Sequence, residues 1–544
     1  MNPLAQWASY AASWDRLLSM IGIEIHWIIL QYVLGFSFIV FLLLLIHWKT
    51  GNKHYFKLAR TLTKAVGLVF AVGAATGTAS EFGLVLLWPN LTEAAGRYIY
   101  FPLYAEIFAF LMEVVFIYLL VFGWSKLSPK ARIAVALLAF VGAWYSASMI
   151  VSVNSYMVAP TGIVAAYDPL SGWKYNQGYP KIMLVVPSNI VAALNVPKLQ
   201  SLGMEVVGKT SDAVIVLMPS KIVQRLAWEA WNNVYVKDSI LMLVLNDAAK
   251  NNAALLHTPV KNIVDTILVK TVEHVGPYTV TFMSPVYPGS ILHALGAALT
   301  VSGFTLIGAY GFRLLTAKDE KYKKYVEDAF KFAVYFSLIV IILQGLVFGH
   351  IMGEEIAHYN PEKLAAMEGT SSKILSLSAL TGSEKLMPLI IYGNPNAKMP
   401  IYDQIPKNYC YLQPRPGLQD CRPPLIIHYI YYTKIGLGVL LGLDTLILAF
   451  LLIRGMSMPK WLLELNIASP IVAHIVSFFG WATREIGRKP WTIYGVMTVD
   501  VAHTPNPAPP ALVAIIALYF IGIIIALGVA VWKLIYIPSL KEEV

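Results

Sequence analysis

Titratable side chains recur inside apolar runs along this 544-residue chain. The densest set lies in residues 472–491, Val-Ala-His-Ile-Val-Ser-Phe-Phe-Gly-Trp-Ala-Thr-Arg-Glu-Ile-Gly-Arg-Lys-Pro-Trp. An apolar run long enough to enter a bilayer ends there in Arg484, Glu485 and Arg488, framed by Trp481 and Trp491. Charged groups at the edge of a membrane helix are costly unless something pairs with them. Glu24 and His26, Glu81, Glu106 and Glu113, His293, His428 and Lys434 repeat the pattern. A membrane protein with this many intramembrane titratable groups handles protons, electrons or ions.

His26 lies mid-span in Ile-Glu-Ile-His-Trp. An imidazole there is either satisfied by a hydrogen bond or bound to a metal. His293 precedes Ala-Leu-Gly-Ala-Ala, whose small residues let a flat cofactor or another helix approach closely. Two deep histidines on separate helices, with no Cys/His cluster, suit haem better than zinc. Glu106 and Glu113 stand seven residues apart, nearly two helical turns, so both carboxylates share one face. They form either a proton relay or a pair satisfied by neighbouring polar groups. Glu81 is either part of that chemistry or simply interfacial. Lys363 and Glu368, in Pro-Glu-Lys-Leu-Ala-Ala-Met-Glu, either flank a ligand or decorate a solvated amphipathic helix.

The elements that position these groups follow from composition. The chain is 57% hydrophobic and only 13% charged, with mean hydropathy +0.62. Soluble domains carry about 25% charged residues, so this is an integral membrane protein. Its net charge of +10 sits in short segments between apolar runs, which argues against nucleic acid as a partner. A span needs about 20 apolar residues. Nine are read at 17–47, 65–88, 102–124, 132–153, 289–315, 328–351, 425–453, 466–486 and 511–534, an all-α bundle. The 48–64, 125–132 and 313–331 segments are basic loops on one side. That side is assigned to the cytoplasm of a plasma-membrane protein, with the C-terminus inside and the N-terminus outside. The first apolar run is too long for a cleaved signal peptide.

Five regions result: spans 1–4 in 1–153, an insertion at 154–288, spans 5–6 in 289–351, an external segment at 352–424, and spans 7–9 in 425–544. The insertion reads as extracytoplasmic α/β, with strands at 182–186, 204–207 and 213–218 and helices at 223–234 and 262–273. Cys410 and Cys421, the only cysteines, fall in one external stretch and either close a disulfide or remain free thiols.

Taken in order, these pieces resemble subunit I of the cytochrome bd-type quinol oxidases. The motifs that carry the likeness are His26, Gly-Ala-Ala-Thr-Gly before Glu81-Phe-Gly, and Phe-Pro-Leu-Tyr-Ala-Glu-Ile-Phe-Ala-Phe-Leu-Met-Glu. Val-Asn-Ser-Tyr-Met-Val-Ala-Pro-Thr-Gly, His293, Asn-Pro-Glu-Lys-Leu-Ala-Ala-Met-Glu and Gly-Trp-Ala-Thr-Arg-Glu-Ile-Gly-Arg-Lys-Pro-Trp complete the set. The likeness does not extend over 160–285.

The resemblance implies membrane quinol as substrate, oxygen as acceptor, high-spin and low-spin haem b as cofactors, with haem d an open alternative, and a second membrane subunit as partner. That partner is subunit II or a related subunit I-like chain. His26 is implied as axial ligand of one high-spin haem, and Glu485 of the other, with Arg488 and Trp481 beside it. His293 is implied for the low-spin haem, Lys363 and Glu368 for quinol oxidation, and Glu106 and Glu113 for proton delivery. Lys434 stands where the family usually has Met, four residues before a Gly, so an amine replaces the thioether as the candidate second low-spin ligand. His428 is the nearest other candidate, and a third possibility is that this haem is five-coordinate or absent. Two further readings stay open: a haem subunit that passes electrons without reducing oxygen, and a haem-free ion or proton transporter.

Overall fold

The computed structural model describes residues 3–537, apart from 161–162, 165–166, 174–180, 210, 232, 265, 267–280, 369–380, 406, 408–419, 421, 496 and 505. Among the described residues, nine helices are long and apolar enough to cross a membrane. They are built on α1 (Pro3–Thr50), α2 (Lys53–Leu87), α3 (Pro89–Gly123) and α4 (Pro129–Val158) before the insertion. Strands β1 (Ile163–Val164), β2 (Tyr167–Asp168), β3 (Gly172–Trp173), β4 (Lys181–Pro187), β5 (Glu205–Lys209) and β6 (Ala213–Pro219) follow, then α5 (Ser220–Trp231). The bundle resumes with α6 (Tyr287–Thr316) and α7 (Glu320–Tyr359), the latter interrupted by a π-helical turn at Leu343–Phe348. After α8 (Pro361–Glu368) come α9 (Ile426–Ile453), α10 (Lys460–Asn466), α11 (Ser469–Ile486), the hairpin β7 (Trp491–Ile493) and β8 (Met497–Thr498), and α12 (Pro510–Val531).

The helices outrun the apolar windows. Lys53 to Lys64, expected in a loop, forms the first three turns of α2, capped by Asn52, whose side chain accepts from the His54 N–H. Residues 320–331 likewise belong to α7, which Asp319 caps through the Tyr322 N–H. The error has a physical source: hydropathy finds the part of a helix in hydrocarbon, whereas the backbone hydrogen-bond ladder continues into water until a cap stops it. The basic residues therefore sit on helix ends more than on loops.

Close helix contact depends on small residues. At Gly142 of α4 a Cβ would stand 3.2 Å from Met112 Cβ and 3.3 Å from the Glu113 amide nitrogen, so α3 and α4 approach nearly backbone to backbone. One continuous core, including Val33, Phe36, Leu62, Phe304, Ile307, Phe330 and Leu448, joins α1, α2, α6, α7 and α9.

The insertion has a separate core containing Leu184, Val186, Val216, Leu226 and Val244. Its four-stranded sheet runs β1-β4-β6-β5, all neighbours antiparallel. The three strands read from sequence correspond to β4, β5 and β6, and the first helix to α5. Most of the second expected helix, 262–273, and both Cys410 and Cys421 lie outside the described residues.

Candidate functional site

His26 projects from α1 against α2. Its Nδ1 is 3.1 Å from Thr76 Oγ1, and that hydroxyl donates to the Gly73 carbonyl at 3.0 Å or the Val72 carbonyl at 3.2 Å. With its proton so engaged, Thr76 accepts, so Nδ1 carries the ring proton and Nε2 keeps its lone pair. A Cβ on Gly77 would stand 2.9 Å from His26 Cε1. The Gly-Ala-Ala-Thr-Gly stretch thus supplies both the hydrogen bond and the space. Two residues away, Glu24 is buried, and its Oε2 has no hydrogen-bond partner among the described residues.

The end of α11 gathers the charges expected there. Glu485 accepts from Asn154 Nδ2 at 2.9 Å on one oxygen and from Arg488 Nη2 at 2.5 Å on the other. Arg484 reaches the other way. It donates to Asn154 Oδ1, to Ser290 Oγ at 2.8 Å and to Ser155 Oγ at 3.3 Å, tying α11 to α4 and α6. Arg488 is buried, and its Nε and Nη1 find no acceptor among the described residues. Trp481, one turn before Glu485, stacks on Trp27 of α1 at 5.8 Å between ring centroids.

His293 and Lys434 approach one region from α6 and α9. Gln344, in the π-helical turn, lies with Nε2 3.2 Å from His293 Nδ1 and donates to the His293 carbonyl at 3.0 Å. The Lys434 stem passes Gly480 of α11, and its amine stands 4.9 Å from the Tyr431 ring centroid. His428 is committed elsewhere: its Nδ1 is 2.8 Å from the Met367 carbonyl, where it supports the end of α8.

That helix is not solvated. Pro361 to Met367 are all buried, which removes the amphipathic-surface alternative for Lys363. The Lys363 stem lies against Gly487, where a Cβ would stand 2.8 Å from its Cγ. Burial, with Arg484 adding to it, pushes the Lys363 amine well below the usual lysine range, although Glu485 opposes the shift. Glu368 accepts from the Tyr432 hydroxyl at 2.9 Å, and the neighbouring Glu362, fully buried, accepts from Tyr494 at 2.5 Å. Just past α11, burial and Arg488 hold the Lys489 amine down to about 7.

Glu106 and Glu113 do share a face of α3, turned toward α4. Ser146 Oγ donates to Glu106 at 2.8 Å and also acts on Glu113. Glu113 is buried with Oε1 unpartnered among the described residues. Glu81, near the end of α2, is exposed.

The residues present fit the haem groups that the sequence resemblance implies. His26 offers a nitrogen lone pair, Glu485 a carboxylate beside a cation, and Arg488 two buried N–H donors suited to propionate oxygens. Asn154, Ser290 and Gln344 had no assigned role in the sequence reading. Their signal there was a polar side chain inside an apolar span, which by itself names no partner.

Comparison with known proteins gives the fold and the family. The solved bd oxidase of Geobacillus thermodenitrificans superimposes with TM-score 0.66 at 20% identity, covering 96% of this chain and 98% of that one. A putative cytochrome bd menaquinol oxidase subunit I of Bacillus subtilis (strain 168) is 25% identical over 523 residues, 93% of this chain and 91% of the relative. A cytochrome bd ubiquinol oxidase subunit 1 of the same organism is 22% identical over 506 residues, 88% and 83% of the two chains. The family model described as cytochrome bd terminal oxidase subunit I matches residues 14–196 and 254–541. With that match running over most of its length, the chain belongs to the cytochrome bd terminal oxidase subunit I family, a family of membrane-embedded respiratory oxidoreductases.

Proposed function

We propose that this chain is the haem-bearing, quinol-oxidising subunit of a plasma-membrane oxidase that reduces oxygen to water. The relatives act on menaquinol and ubiquinol by name, so the substrate class is a membrane quinol. When bound, the haems supply one-electron carriers between quinol and oxygen and the centre at which oxygen binds. The observation that carries this reading is Arg488, buried beside Glu485 with two N–H groups left over. An unsatisfied buried guanidinium is expensive unless an anion fills its donors.

Each residue set then has a task. Lys363, its amine depressed by burial, accepts a proton from quinol while Glu368, positioned by Tyr432, takes a second. His26, oriented by Thr76, and Glu485, held by Asn154 and Arg488, would hold the two high-spin haems. His293, steadied by Gln344, would hold the low-spin haem, and the Lys434 amine would be the candidate second ligand in place of the family's Met. Glu106, held by Ser146, and Glu113 on the same face pass protons to the oxygen site. With quinol protons released outside and consumed protons drawn from the cytoplasm, the reaction builds a gradient without a pump. The N-terminus lies outside and the C-terminus inside in this reading. A second membrane subunit covers part of the apolar helix surface.

A reduced-minus-oxidised absorption spectrum, together with oxygen uptake driven by reduced quinol, tests this. Wild type shows a Soret band and takes up oxygen; Glu485→Ala loses uptake. A colourless complex, or uptake indifferent to that change, would refute it.

A further inference from the structure

Several buried polar groups not used above fall along one seam, where α1, α6 and α11 pack. At the end that carries Lys460, Asn466 donates from Nδ2 to Asp444 Oδ1 at 3.1 Å. Asn466 Oδ1 and Asp444 Oδ2 are then buried without partners among the described residues. A Cβ on Gly308 of α6 would stand 2.9 Å from both the Asn466 carbonyl and the Tyr536 hydroxyl, so polar atoms of three segments converge there. One turn along α6, Thr305 Oγ1 lies 3.1 Å from the Tyr32 hydroxyl, itself 2.8 Å from His474 Nε2. One turn along α11, Ser477 Oγ accepts from Gln31 Nε2 at 2.9 Å and Trp27 Nε1 at 3.0 Å. Two turns back along α1 from Gln31 is Glu24, beside the candidate oxygen site.

Five atoms along this line are buried and unpartnered among the described residues: Asn466 Oδ1, Asp444 Oδ2, His474 Nδ1, Gln31 Oε1 and Glu24 Oε2. Asn466, Gln31 and Glu24 are each more than nine-tenths buried. At membrane depth such atoms are costly, and a half-satisfied network costs more than an apolar seam. Water satisfies them at a site that is polar and offers several partners. From Ser469 to Glu485, α11 runs roughly 24 Å at 1.5 Å per residue, most of the thickness of the hydrocarbon layer. The Thr305 hydroxyl donates to the Val301 carbonyl at 2.8 Å. Tyr32 therefore donates to Thr305 and receives the Nε2 proton of His474, which leaves a lone pair on Nδ1.

We propose that this seam is a water-bridged proton file, separate from Glu106 and Glu113, running from the side that bears Lys460 past His474 to the Gln31–Ser477 pair. It rests on the oxidase reading given above. Each transfer breaks one O–H or N–H bond and forms one on the next acceptor. His474 takes a proton at Nδ1 and passes on the one at Nε2. No electron moves along the file.

The test uses the purified oxidase complex with Asp444→Asn, which is nearly isosteric, and His474→Phe. Haem absorption and anaerobic reduction by quinol should match wild type, while oxygen uptake falls about tenfold with a larger solvent isotope effect, less than full loss of acid–base catalysis because a second route remains. A density map resolving ordered water should show waters beside His474 Nδ1, Asp444 Oδ2 and Gln31 Oε1. A dry seam, or wild-type uptake in both variants, overturns the file alone. A colourless wild-type complex overturns the oxidase reading and the file with it.

Discussion

Arg488 donates to Glu485 at 2.5 Å across less than one helical turn, just where α11 gives way to the β7–β8 hairpin. Arg488 is buried, and Glu485 keeps about a quarter of its side chain exposed, so the cation has no solvent to replace its partner. Removing one partner of a buried pair costs about 3–5 kcal/mol because the other charge is left alone. Arg488→Met should therefore cost the complex its Glu485-side haem. Arg488→Lys should recover only part of it, since an ammonium lacks the planar fork that serves Glu485 and a second anion together. Haem content per protein, measured by absorption, checks both.

Thr76 fixes which nitrogen of His26 carries the proton. Thr76→Val keeps the shape and removes the acceptor. Losing such an orienting partner typically weakens a bound metal group about 10–100-fold. The expected result is loss of the His26-side haem on washing, read from the spectrum, with little change in thermal stability.

Lys434 is the departure from the family pattern with the plainest readout. An amine and a thioether place different fields on iron, so Lys434→Met should shift the low-spin absorption band and raise the potential of that haem. An unchanged spectrum and potential would remove Lys434 from the ligand set.

Quinol oxidation should depend on pH through Lys363. Its amine is pushed well below the usual lysine range by burial, then by Arg484. A depressed pKa means the neutral, proton-accepting form is present above that lowered value and is lost as pH falls through it. Activity with quinol should therefore decline on acidification, whereas Lys363→Met should be slow at every pH and lack this limb. Steady-state rates across pH at saturating oxygen distinguish the two.

Much of this was legible in the residues. The nine spans follow from length and hydropathy, and the shared face of Glu106 and Glu113 follows from helical spacing. What the sequence hid was pairing across helices. Nothing in the string says that Asn154 lies on Glu485, that Gln344 lies on His293, or that Tyr32 meets His474. Those contacts depend on interhelical packing, set by small residues such as Gly142 rather than by the polar residues themselves. The buried state of Lys363 was hidden for a related reason: the eight residues of α8 carry no strong amphipathic pattern, and the groups that bury them come from α9, α11 and the β7–β8 hairpin.

The insertion closes over its own apolar residues, Leu184, Val216 and Leu226 among them, rather than over those of the helices. The family match also skips 197–253, the stretch that supplies β5, β6 and α5. Such a module can melt by itself. Heating the complex should give two calorimetric transitions, one for this cap and one for the pigmented bundle, with the visible absorption following only the second.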